Sequence, residues 1–122
     1  MSTSQIRIMW TVLFYLLIFV SGFWLTRSGK PYNAIVLTIH KLISVAAIVY
    51  LVITMVRADK VTQLGAGELV AGVVTGLFFL GTIVTGGLLS VDKPMPAVVL
   101  WLHRITPFLT VLSTAVTLYL LL

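Results

Sequence analysis

Four long apolar runs decide what this chain can fold into. They cover about residues 6–26, 34–56, 69–89 and 97–121, none holds more than one charged residue, and short polar links separate them. A helix rising 1.5 Å per residue needs about 20 residues to cross about 30 Å of hydrocarbon, and each run supplies that length. Lipid offers backbone N–H and C=O groups no partner, so a spanning segment must be a helix or belong to a closed barrel. These runs are continuous rather than alternating, which selects helices. The composition agrees, with 60% hydrophobic residues, 9% charged residues and a mean hydropathy of +1.16. The expected fold is all-α: an integral membrane four-helix up-and-down bundle, a single transmembrane domain over residues 1–122. Its expected setting is a prokaryotic cell membrane, crossed several times.

The polar residues exclude several function classes. Eight Lys and Arg stand against three acids, a net charge of +5, and the bases sit at segment ends. That pattern suits headgroups and topology rather than nucleic acid. No cysteine is present, which removes disulfides, thiolate metal sites and covalent haem attachment. No histidine–carboxylate triad or glycine-rich nucleotide loop is visible, and no catalytic residue is expected. Val20-Ser21-Gly22 is a weak match to a cleavage site, but the first run is expected to stay as a member of the fold. Arg27, Lys30, Lys41, Lys93 and Arg104 lie toward one face, and Arg7, Arg57 and Lys60 toward the other, offset by Asp59 and Glu68. The excess favours a cytoplasmic position for the first face, the histidine side, with both termini expected outside.

The chain is written twice. LFYLLIFVSGFWL from Leu13 matches LFFLGTIVTGGLL from Leu77 at an offset of 64, and PYNAIVLTIHK from Pro31 matches PMPAVVLWLHR from Pro94 at 63. The repeats, about residues 8–57 and 71–120, are therefore two helical hairpins of one orientation. The second match carries the only two histidines, His40 and His103, each six residues into its run. Ionisable rings at that depth are expected to be functional.

If the helices pack in sequence around a square, the histidine-bearing helices are diagonal and the rings face one another at equal depth. Such a pair suits the two axial positions of a haem iron, so His40 and His103 are the candidate metal ligands of one haem b. Gly22 and Gly86 would let the porphyrin edge approach the backbone, or would simply mark close helix packing. Lys41, Arg104 and Arg27 are candidate partners for propionates, with lipid phosphate as their plainer partner. Trp101 could flank the ring or anchor at the interface, as Trp24 could. Fourteen residues beyond the histidines stand Thr54 and Thr117, which cannot replace imidazole, so a second haem is not expected. Pro107, four residues after His103, should kink the last helix; Ser44 takes its place in the other repeat.

In its four apolar runs and its matched IHK and LHR sites the chain resembles the four-helix membrane b-type cytochromes, including the cytochrome b561-like group. That resemblance implies haem held by histidine pairs and electron exchange with a quinone or quinol. It departs from the two-haem members in lacking a distal pair. The expected function is a single-haem membrane cytochrome transferring electrons with a quinol or a respiratory or redox protein partner. The alternatives are a haem sensor, a cofactor-free membrane scaffold or assembly subunit, in which the histidines bond between helices, and small-molecule or ion transport. Membrane lipid and a second copy of the chain complete the expected partners, and nucleic acid is excluded.

Overall fold

The computed structural model describes residues 1–91 and 93–121, and all its regular structure is helical. Four helices follow one another: α1 (Thr3–Ser28), α2 (Ala34–Thr62), α3 (Ala66–Leu89) and α4 (Ala97–Leu121). All four are long and apolar enough to cross a membrane. The protein is thus an all-α, multi-pass integral membrane protein. Asp92 lies outside the described residues.

Local chemistry sets the helix ends. Ser2 and Gln5 form a reciprocal capping box at the start of α1, with Ser2 Oγ accepting from Gln5 N–H at 3.1 Å and Gln5 Oε1 accepting from Ser2 N–H at 2.9 Å. Gly29 closes α1 at φ +70°, a conformation that favours glycine, and its N–H donates to the Leu25 carbonyl. Asn33 Oδ1 accepts from Ile35 and Val36 N–H and opens α2. That helix runs past the apolar stretch to Thr62, because its charged tail is itself helical. Asp59 Oδ1 then accepts from Leu64 N–H, Gln63 adopts φ 42°, and Gly65 starts α3 with Glu68 in the first turn. Residues 59–62 thus extend α2, and Gln63, Leu64 and Gly65 are left between α2 and α3.

The chain divides into two compact units, Met1–Thr54 and Met55–Leu122. The first pairs α1 with most of α2, and the second pairs α3 with α4 beside the end of α2. In each, the inward positions recur at alternating steps of four and three. On α2 they are His40, Ser44, Ala47, Leu51 and Thr54; on α4 they are His103, Pro107, Thr110, Thr114 and Thr117. All ten are buried or half-buried. This 3.5-residue spacing keeps one seam facing a neighbour along the whole helix, and the two seams align residue for residue at the 63-residue offset.

Apolar burial does not drive helices together in lipid, because the tails are as apolar as leucine. Small residues and hydrogen bonds must do more. In the second unit Thr75, with 0% of its surface exposed, meets Ser113 Oγ and bonds Thr117 Oγ1 at 3.0 Å. The first unit has Tyr50 where the second has Ser113, and Phe14 packs on it with ring centroids 5.5 Å apart. At this level one hairpin is closed by hydroxyls and the other by aromatic rings.

Pro107 lies inside α4, which continues through it as helix. Thr106, Thr110, Thr114 and Thr117 each turn the hydroxyl back to the carbonyl four residues earlier. Those bonds give each hydroxyl a backbone partner within α4, and Thr117 Oγ1 also reaches Thr75 on α3.

Candidate functional site

Each histidine sits in the same pocket of its own hairpin. Ser21 is buried on α1, and its Oγ lies 2.8 Å from His40 Nδ1. At the matching position on α3, Thr85 Oγ1 lies 3.0 Å from His103 Nδ1. The next residue is glycine in both repeats. A methyl group on Gly22 would stand 3.0 Å from His40 Cε1, and one on Gly86 would stand 2.8 Å from His103 Cε1. The Nδ1–Cε1 edge of each ring is thus seated on a hydroxyl-glycine step of the preceding helix. Without a Cβ there, the imidazole reaches the backbone of its neighbour.

The hydrogen bonds assign the ring protons. His103 Nδ1 also lies 3.0 Å from the Thr82 carbonyl, which can only accept, so Nδ1 carries a proton. Thr85 Oγ1 directs its own proton to the Gly81 and Thr82 carbonyls and accepts from the ring. Ser21 Oγ likewise donates to the Leu17 and Ile18 carbonyls, at 2.7 and 3.1 Å, and accepts from His40 Nδ1. Each ring thus donates from Nδ1 to the preceding helix and bridges two helices, and a paired donor costs less within a bilayer than an unpaired one.

The backbone beneath the rings differs between repeats. Ser44 Oγ donates to the His40 carbonyl at 2.7 Å. Pro107 stands at the matching position and has neither a hydroxyl nor an N–H to give to the His103 carbonyl.

The haem expectation is corrected by this arrangement. Among the described residues no group of three or more His, Cys, Asp or Glu side chains comes together to hold a metal ion, and the protein has no cysteine. The glycines that were to admit a porphyrin edge instead admit the histidines themselves. Haem b, iron binding, electron transport and the cytochrome b assignment fall together, and the haem-sensor alternative falls with them. The likeness to the b561-like group reduces to four membrane-spanning helices.

The other candidate residues stand apart from the ring pockets. Lys41 and Arg104 follow the histidines and are exposed, as is Arg27 in the last turn of α1. Trp101 is 58% exposed, a placement that suits lipid contact. Neither Ser21 nor Thr85 is among the candidate site residues expected from sequence. The signal for their role was their coincidence in the 64-residue match, opposite a histidine matched at 63.

Removing one hydroxyl tests the pins. Ser21→Ala should destabilise the first hairpin by about 1 kcal/mol, and Thr85→Val should do so less, because Thr82 O still holds His103. Unfolding in mixed micelles, followed by helical circular dichroism, would measure both.

The fold and the paired pins define a class: a four-span integral membrane protein of two histidine-pinned helical hairpins. No protein family, curated protein or solved structure matches the chain.

Proposed function

We propose that the protein is a cofactor-free membrane scaffold or assembly subunit. One observation carries this reading: both histidines, the residues best suited to redox or metal chemistry, are used as pins within their own hairpins, with the same hydroxyl-glycine seat in each. Several further features support it. Side chains of the ring pockets and of the Thr75 cluster bond to one another or to backbone, and among the described residues no buried side-chain polar atom lacks a partner. Much of the apolar surface faces outward, including Phe23, Trp24, Phe108 and Leu112. Rigid helices with outward apolar faces suit partners that are themselves membrane helices, either another protein or a second copy.

The test is the size of the particle in mild detergent extracts of native membranes. The 13.4 kDa chain should run in a larger assembly. His40→Leu with His103→Leu should weaken that assembly while leaving the chain in the membrane. A chain that runs alone overturns the proposal. So does a stoichiometric, redox-dependent b-type spectrum in the purified protein that either histidine substitution abolishes.

A further inference from the structure

The side-chain charges of residues 1–58 are all of one sign. Residues 1–58 contain Arg7, Arg27, Lys30, Lys41 and Arg57 and no carboxylate. Three of these bases gather at the linked end of the hairpin. Arg27 is in the last turn of α1, Lys30 is in the link with its ammonium 5.9 Å from the Tyr32 ring centroid, and Lys41 is on α2 beside the pinned His40. All three side chains are exposed. Lys41 lies seven residues after Ala34, about 10 Å along the helix, and its long stem can carry the ammonium back to the headgroup level. The start of α2 adds the positive end of a helix dipole. Its first free N–H groups are already taken by Asn33, so that contribution is a field and not a direct bond.

The duplication supplies an internal comparison. Lys93 and Arg104 match Lys30 and Lys41, but Val91 stands opposite Arg27 and the sequence adds Asp92. The linked end of the first hairpin therefore carries three positive charges, whereas the second carries two and one negative.

We infer that Arg27, Lys30 and Lys41 form a binding site for an anionic phospholipid at the linked end of the first hairpin. Arginine offers a planar fork to the phosphodiester and the two lysines offer point charges. A net-negative headgroup supplies the opposite charge that residues 1–58 do not contain. A zwitterionic headgroup brings its own cation to the same place and gains less. The site is independent of the scaffold role, since it rests on charges and not on partner helices.

Trp24, exposed and three residues before Arg27, is a built-in reporter. The full chain carrying Trp10→Phe and Trp101→Phe would be placed in phosphatidylcholine vesicles containing a minor fraction of bromine-labelled lipid. Labelled phosphatidylglycerol should quench Trp24 with an apparent preference over labelled phosphatidylcholine of about fivefold for each basic side chain engaged. Arg27→Gln, Lys30→Gln and Lys41→Gln together should bring the two quenching curves into coincidence. Lys93→Gln with Arg104→Gln should leave them apart, and Arg27→Lys, Lys30→Arg and Lys41→Arg should keep most of the preference. If the triple glutamine variant does not fold, the unchanged site answers in salt: at about 1 M sodium chloride, where charges are screened within about 3 Å, the preference should collapse. Equal quenching at low salt, a preference that survives high salt, or an equal loss in the second-hairpin variant overturns the site. Competition by inorganic phosphate beyond sodium chloride of the same ionic strength also overturns it, because a soluble anion is then the occupant.

Discussion

Gly86→Leu should disrupt the second hairpin more than any other single change at the ring pockets. A single methyl group at this position would already stand 2.8 Å from His103 Cε1, 3.4 Å from Nδ1 and 3.5 Å from Nε2. The ring cannot slide aside freely, because Nδ1 is held by both Thr85 Oγ1 and the Thr82 carbonyl. A leucine must therefore break those bonds or part the helices, and the expected loss is about 3 kcal/mol, the sum of overpacking and a lost polar pin. The neighbouring residue is the control. Gly87 has nothing within 4 Å of an added methyl group, so Gly87→Leu should change stability by less than about 1 kcal/mol. Trp101 is the only tryptophan after residue 24, so a Trp10→Phe, Trp24→Phe background reports on the second hairpin alone. Equal unfolding midpoints for the two leucine variants would sink the seating of the ring on Gly86.

The second large effect belongs to the other end of that hairpin. Thr75→Val keeps the shape of the side chain and deletes the hydroxyl that meets both Ser113 and Thr117, at a position with no exposed surface. The expected loss is about 1–2 kcal/mol, and a cycle with Thr117→Val should show a coupling of about 0.6 kcal/mol or more. Additive losses would mean that the two hydroxyls are bonded only to their own helices. The matching change in the first hairpin, Thr11→Val, should cost little, since Thr11 Oγ1 bonds only the Arg7 carbonyl of its own helix.

These expectations separate what the sequence carries from what it conceals. Hydropathy is a sum over single residues, so the four spans are plain in it, and α4 occupies the expected Ala97–Leu121. Depth is legible too, because it only requires counting from a helix end. Rotation about the helix axis is harder. The helix bearing His40 is apolar on nearly every side, so no contrast marks the face that points to α1. The haem reading set the rings across the molecule from one another, whereas each turns to the hydroxyl of the helix before it. The register of Ser21 with His40, and of Thr85 with His103, was present in the duplication. Its meaning needed the turn of the ring about Cα–Cβ, which spacing does not encode.

Local exceptions show the same limit. Pro107 is readable as a missing N–H, and a kink follows naturally from it. Its place in the seam, opposite a Ser44 whose hydroxyl bonds the His40 carbonyl, becomes meaningful only when the two repeats are laid over one another. Beneath the rings the repeats diverge in supporting groups of this kind. The seat of the ring, a hydroxyl followed by glycine, is the part both copies keep.

The pairing of each histidine with the helix immediately before it bears on how the chain is made. Synthesis delivers Ser21 first and His40 nineteen residues later, and Thr85 first and His103 eighteen residues later. Each imidazole therefore emerges with its acceptor already at hand in the preceding span. A polar ring entering hydrocarbon alone would carry an unmet donor, and entering as a pair it does not. The nascent protein can be handed to the bilayer two helices at a time, the first hairpin chemically complete before the second has left the ribosome.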